Sequence, residues 1–383
     1  MAQGGTADLL KKLQSLTLAE RSAIALVNDD PEYVLHLGTQ PSSKFGSQAR
    51  VAATSSNYSV RVYTKENLAT LGALRGHSKH VTGVCFSKLD AHVLYTSCLD
   101  GKVRCWDIRE SWTEPVLEFT GYEESHNVFT TFDLSCDNRF LCAGTEANKE
   151  HDVFMLFWDT RKGEPLGVYQ ESHQDDITEV KFHPSKADWL ASASTDGLVN
   201  VFDISNDNED DALVNTLNTE SSAGHVGWCG RDGENIYCIT HIETLHIWQA
   251  EEGDIVKEVK DIRERTFSEE YDAVKVDYIT GCFEPQEGGQ LHIVAGSYSG
   301  QAWIMKLEDD LEVIKELKGG HSGIVRCCAW DQESEALLTG GEDSMLALWK
   351  AGQEQTTHHK TKRKSKAPSA VKVKMKKSVA RPV

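Results

Sequence analysis

Seven short alternating runs, each carrying an aromatic residue, recur along this 383-residue chain at intervals of 43 to 55 residues. The aromatics are Tyr63, Trp106, Trp158, Phe202, Trp248, Trp303 and Trp349, within SVRVY, KVRCW, MLFW, LVNVF, LHIW, QAWI and MLALW. Alternation of this kind marks strands with one face turned to a core. Three copies add a His 28 or 29 residues before the aromatic and an Asp six residues before it. These are His77/Asp100/Trp106, His173/Asp196/Phe202 and His321/Asp343/Trp349. Self-similarity with a period of about 44 and this residue order predicts stacked four-stranded blades, an all-β propeller of seven units.

A repeat of this type lets about 330 residues bury one continuous core between neighbours, so length does not call for several domains. The expected layout is an N-terminal extension over 1–20, a propeller over 21–351 and a basic, disordered tail over 352–383. Leu9, Leu10, Leu13 and Leu16 in the extension have the spacing of a short amphipathic helix. Counted from Tyr33, the seventh blade reaches only its third strand at Trp349. Its outer strand must come from elsewhere, and Ser22 to Asn28 (SAIALVN) is the unassigned candidate. Such an overlap of chain ends removes an open sheet edge.

Charge divides the chain into opposed parts. The whole carries −19, but residues 352–383 hold ten Lys or Arg against Glu354 alone, which leaves −28 on residues 1–351. Ten Cys are scattered with no C-x-x-C pair, no run approaches 18 apolar residues, and MAQGGTADLL lacks the pattern of a signal peptide. These features fit a reducing intracellular setting, neither secreted nor membrane-bound.

Each complete repeat brings a hydroxyl, a His and an Asp together, which imitates a nucleophilic triad. The sets are Thr96/His77/Asp100, Ser192/His173/Asp196 and Thr339/His321/Asp343. Repetition argues for a structural role, because a reaction needs one such centre and not several interchangeable ones. A buried His donating to an Asp on a tight turn would pin two loops of a blade. GSYSG at Gly296 has Tyr298 where a nucleophile would stand, and no Walker loop, H-E-x-x-H or calcium loop is found. His77 and His80 follow a turn, which is poor zinc geometry. No catalytic residue, metal or cofactor is expected.

The dipeptides Gly76-His77, Gly320-His321, Trp106-Asp107 and Trp158-Asp159 resemble those of the WD-repeat family over about residues 21–351. Departures occur: the first and sixth blades lack both dipeptides, the third has Gly121-Tyr122 and the fifth Trp248-Gln249. The resemblance implies a seven-bladed propeller without catalytic activity that acts as a protein-interaction scaffold within a larger complex. In such blades the His loop and the Asp turn share one face. Reading the chain onto that face gives Glu123, Glu124, Glu146, Glu150, Asp152, Asp175, Asp176, Glu243 and Glu342 against Lys79 and Lys149. An acidic mouth of this sort would steer basic partners, with Asp175, Asp176, Glu342, Glu243, Glu123 and Glu124 as candidate contacts.

Trp106-Asp107-Ile108-Arg109 and Trp158-Asp159-Thr160-Arg161 resemble the double motif of substrate receptors that dock on the adaptor of cullin-type ubiquitin ligases. Arg109 and Arg161 would then meet the adaptor from the opposite face. In the tail, Lys360, Lys362, Arg363, Lys364 and Lys366 resemble a nuclear-import signal, which points to a nuclear or nucleocytoplasmic location, nucleolar included. The same basic cluster is the only support for contact with nucleic acid, as part of an RNA-associated assembly factor. No aromatic is interleaved for base stacking.

Overall fold

The computed structural model describes residues 3–24, 32–40, 42–122, 128–206, 208–265, 267, 274–285, 289–308 and 310–352. The chain divides into the units Met1–Ala351 and Gly352–Val383. Glu123, Glu124 and the basic cluster from Lys360 to Lys366 lie outside the described residues. No described helix is long and apolar enough to cross a membrane.

Met1–Ala351 forms seven four-stranded antiparallel sheets, the seven blades of a propeller. Blade 2 shows the plan: Val81–Phe86, Val93–Cys98, Lys102–Asp107 and Leu117–Thr120 run from the axis to the rim. The inner strands of the other blades begin at Val34, Phe129, Ile177, Ala223, Tyr278 and Val325. The seven aromatics that revealed the repeat are at most 5% exposed. Their burial fills the apolar clusters between neighbouring blades, the largest favourable contribution such a repeat has.

One aromatic holds a different place from the one its spacing suggested. In the other blades the aromatic is the fourth or fifth residue of the third strand and pairs with the second residue of the second strand, as Trp106 does opposite Leu94. In blade 6 that place, opposite Ile293, belongs to Met305. Trp303 stands two residues earlier, opposite Ala295, and both side chains enter the same apolar cluster. Same-face residues of a strand repeat every second position, so a register two residues off preserves the pattern and hides the shift.

The ring closes through the N-terminus, but with an earlier segment than the sequence suggested. Leu16–Ala23 pairs antiparallel with Met345–Ala351, from Leu16↔Ala351 to Ala23↔Met345. Of the expected Ser22 to Asn28, Ser22 and Ala23 take part and Ala25 to Asn28 lie outside the described residues, while the strand begins at Leu16, five residues before position 21. An outermost strand buries one face only, so the half-polar LTLAERSA suffices, whereas Ile24 is sunk completely in the core. The helix Gln3–Gln14 precedes this strand, and its Leu13 packs in one cluster with Leu16, Ile314 and Trp349.

Neighbouring inner strands are joined by side chains at a repeated position. Thr82 Oγ1 donates to Phe129 O at 2.9 Å, Thr178 Oγ1 to Ala223 O at 3.0 Å and Thr280 Oγ1 to Val325 O at 3.2 Å. Thr130 makes the same bond to Ile177 O. Acceptors complete the stitching: Asp133 takes Phe182 N–H at 2.8 Å, Glu179 takes Val226 N–H at 2.9 Å, and Glu243 takes Ile279 N–H at 2.6 Å. These bonds satisfy backbone groups that line the axis and belong to no ladder.

Candidate interaction surfaces and the repeated polar sets

The three His/Asp sets are assembled alike, from the loop that enters a blade and the turn between its second and third strands. In blade 7, His321 Nε2 lies 2.7 Å from Thr339 Oγ1 and Nδ1 lies 3.1 Å from Asp343 Oδ1. Trp349 Nε1–H donates to Thr339 Oγ1 at 2.9 Å. Donor rules then fix the chain: indole to hydroxyl, hydroxyl to Nε2, and Nδ1–H to carboxylate. Asp343 also accepts the N–H groups of Ser322 and Met345 at 2.8 and 3.2 Å. A Cβ on Gly320 would stand 2.2 Å from the Trp349 ring, which is why Gly precedes His here.

Blade 2 has the same contacts, with His77 2.7 Å from Thr96, 3.3 Å from Asp100, and Trp106 Nε1–H donating to Thr96 at 2.8 Å, but adds Arg104 Nη1 against both His77 Nδ1 and Asp100. Blade 4 has His173 2.7 Å from Ser192 and 3.0 Å from Asp196, but Phe202 supplies no indole donor. Burial alone would raise these carboxyls. The imidazole and backbone donors outweigh it and hold Asp343, Asp196 and Asp100 below their ordinary values. No hydroxyl is left open to a substrate, since Thr96, Ser192 and Thr339 are fully buried.

His77, Cys98 and Asp100 bring three potential metal ligands within 4.8 Å. Their atoms are engaged. Both His77 nitrogens are bonded, and Cys98 Sγ accepts Asp100 N–H at 3.3 Å. Arg104 Nη1 lies 2.9 Å from Asp100 Oδ2, placing a guanidinium where a cation would have to enter. Burial pushes the Cys98 thiol up to about 11. This donor set does not suit a metal.

The expected acidic mouth is partly consumed by the fold. Glu243 holds the Ile279 N–H, and Asp176 accepts Ala147 N–H at 2.8 Å. Glu342 accepts Arg326 Nε–H at 2.7 Å, a cation on this face that the sequence reading had not placed there. Lys275 and Arg263 are further exposed cations on the loop between blades 5 and 6. Glu146, Glu150, Asp152 and Asp175 remain exposed.

Beneath the mouth the inner strands enclose a channel of about 610 Å³. Its wall carries a cluster in which Glu179 meets Lys181 at 2.9 Å and His225 at 3.3 Å. Burial opposes ionisation of Glu179, but Lys181 and His225 outweigh it and hold the carboxyl well below its usual range.

Sequence reasoning missed the aromatic character of this face. Tyr33, Tyr58, Tyr122 and Tyr298, between 36 and 67% exposed, all stand on loops of the His/Asp side. Ile242, 49% exposed, is on a turn of the same side. Tyr58 occupies the left-handed region at φ 68°, costly for a bulky side chain at a turn where blades 2 and 4 use Gly101 and Gly197. Tyr298 borders a pocket of about 510 Å³ with His241, Glu243, Tyr278 and Arg326. The signal was available as Tyr58, Ile242 and Tyr298 in the turn between second and third strands, where the complete repeats have Asp100-Gly101, Asp196-Gly197 and Asp343-Ser344.

On the opposite face Arg109 and Arg161 are 51 and 63% exposed. Arg109 Nε–H donates to Asp107 at 2.8 Å and Arg161 Nε–H to Asp159 at 2.9 Å. Each guanidinium is thus fixed by the carboxylate two residues before it. Arg109 also reaches Asp90 at 2.9 Å.

Comparison with known proteins agrees with this architecture. The family described as "WD domain, G-beta repeat" matches residues 68–107, 163–203 and 311–350, the blades with complete polar sets. WD repeat-containing protein GTS1 of Arabidopsis thaliana is 33% identical over 80% of this chain and 79% of its own length. The WD repeat-containing protein 89 homolog of Dictyostelium discoideum is 25% identical over 84% of each chain. GATOR2 complex protein WDR24 of Homo sapiens is 27% identical over 40% of this chain and 18% of its own. With seven blades, repeated His/Asp sets and a WD-repeat relative 33% identical over 80% of the chain, the chain belongs to the WD-repeat family.

Proposed function

We propose that this protein is a non-enzymatic scaffold whose His/Asp face binds a protein partner. The observation that carries this is the placement of the exposed tyrosines among the described residues, all on that face, with Arg326 beside Tyr298 in one pocket, Ile242 on a turn of the same side, and Tyr122 alone giving its hydroxyl to the fold, to Gly167 O at 3.1 Å. Tyr and Arg are the residues that most often anchor protein interfaces, because they bury large area and still satisfy a polar end. The three His/Asp sets serve as internal braces of the blades that hold these loops. Asp175 and the exposed acids Glu146, Glu150 and Asp152 favour a basic partner. Similarity to a GATOR2 complex protein supports a role inside a larger assembly.

Proximity labelling in cells, comparing wild type with Tyr58→Ala/Tyr298→Ala, tests the reading. It expects a discrete set of partners to be lost by the variant. An unchanged partner set refutes it. The basic cluster from Lys360 to Lys366 is proposed to direct the protein to the nucleus.

A second reading has its own support in the paired, carboxylate-held guanidinium groups of Arg109 and Arg161. These would dock on a ubiquitin-ligase adaptor from the opposite face. Equal adaptor recovery by wild type and Arg109→Ala/Arg161→Ala removes it.

A further inference from the structure

The outermost strand of each blade pairs on one side only, and an unpaired edge must be protected from foreign strands. Most rims here are protected. Trp112 covers the outer strand of blade 1, where a Cβ on Gly72 would stand 2.8 Å from its ring. The outer strand of blade 2 has only four residues, Leu117–Thr120, and that of blade 3 contains Pro165. Blade 7 presents Glu20 and Arg21, blade 6 presents Glu312, Lys315 and Glu316, and blade 5 keeps Lys257 and Glu258.

Blade 4 has none of these devices, and the edge carries only a local cap, Asn215 Oδ1 accepting the Thr216 N–H at 2.9 Å. Its outer strand Leu213–Asn218, LVNTLN, carries no charge and no proline over six residues. Leu213 and Val214 are 40 and 37% exposed. The insert before it is firmly seated: Glu209 accepts the N–H groups of Gln170 and Glu171, both at 2.9 Å, and Ala212 is buried. That anchoring turns Asp210 and Asp211 outward at the start of the strand. Asn215 Nδ2–H donates to Glu251 O at 3.3 Å, which ties this edge to the next blade's exposed Glu251, Glu252 and Asp254. Ile255 and Val256, 57 and 56% exposed, follow directly.

We propose that the edge Leu213–Asn218 receives a fifth strand from a partner protein, an extended segment of alternating apolar residues ending in Lys or Arg. Main-chain hydrogen bonds at the open groups, which alternate along the edge, would supply affinity, with Asn215 Oδ1 giving up the Thr216 N–H it now accepts at 2.9 Å, and the segment's apolar side chains would cover Leu213 and Val214. Asp210 and Asp211 would fix direction by meeting the basic end, since opposite charges set register where strand pairing alone does not. This rim site is independent of the tyrosine face.

The probe is a fluorescein-labelled peptide, Lys-Val-Thr-Val-Thr-Val-Lys, and a twin N-methylated at alternate residues so that it cannot donate to the edge. Fluorescence anisotropy on the full chain at low salt should show saturable binding of the first peptide. The twin and Asp210→Lys/Asp211→Lys should each weaken it about tenfold. Hydrogen exchange should slow over Leu213–Asn218, and Tyr58→Ala/Tyr298→Ala should leave probe binding unaltered. Equal binding of the twin would show ionic attraction without strand addition and overturn the proposal. No saturation below about 1 mM, or a stable dimer of the chain alone at micromolar concentration, would also overturn it.

Discussion

Replacing Thr339 with Val removes one oxygen while keeping the shape of the side chain, and two buried groups depend on that oxygen. Thr339 Oγ1 accepts from Trp349 Nε1 at 2.9 Å and meets His321 Nε2 at 2.7 Å. Both partners are nearly sealed from solvent, so neither recovers its bond from water. Each orphaned buried group costs about 1–3 kcal/mol, and two orphans give about 3 kcal/mol of lost stability. Blade 4 supplies the control within the same molecule. Ser192 meets His173 Nε2 at 2.7 Å, but Phe202 leaves it no indole to satisfy. Ser192→Ala therefore orphans one group and should cost about 1.5 kcal/mol. Urea unfolding followed by tryptophan fluorescence measures both variants against wild type. The loss for Thr339→Val should be about twice that for Ser192→Ala. Equal losses, or a larger loss in blade 4, would refute the argument that the hydroxyl is a shared node of the network.

Other consequences can be checked with similar means. The carboxyls of Asp100, Asp196 and Asp343 lie below their unfolded values, so their stabilisation is complete above about pH 4 and is lost as pH falls through the lowered folded values. Asp343→Asn should accordingly flatten the acid limb of a stability profile, and a limb parallel to wild type would contradict this. Thr178→Val breaks one bond between inner strands and should cost about 1 kcal/mol in the same urea assay. Deleting residues 2–24 removes the buried Leu13, Leu16 and Ile24 from blades 6, 7 and 1, about 6 kcal/mol of apolar burial, and should leave a chain with cooperative unfolding lost. Deleting residues 356–383 should shift a fluorescent fusion from nucleus to cytoplasm, and an unaltered distribution would count against the import signal.

The ring was readable from the sequence because each blade buries a large side chain at a matched position, and large buried side chains leave a periodic trace. The His/Asp sets were readable for a related reason: they are long-range within a blade but fixed in spacing by short turns. Closure by the N-terminus followed from counting strands, yet its register did not. Apolar runs were weighed above the half-polar LTLAERSA, although a rim strand needs only one covered face. Trp303 misled because Met305, with no aromatic signature, fills the matching place. The stitching threonines went unnoticed, since Thr is common in strands for its own propensity and its partner lies in another blade. For the surface, counting acids overlooked that Glu243, Asp176 and Glu342 are occupied by Ile279, Ala147 and Arg326, which only spatial proximity reveals.

The central claim is that the tyrosine-bearing face holds the partner while the polar sets merely brace it. A quantitative pull-down with purified wild type, Tyr58→Ala/Tyr298→Ala and Ser192→Ala, all checked for folding by circular dichroism, addresses it directly. The tyrosine variant should keep its fold and lose the captured partners, whereas Ser192→Ala should retain them in full. Retention by the tyrosine variant, with loss on removing the buried Ser192 hydroxyl from a folded chain, would contradict it.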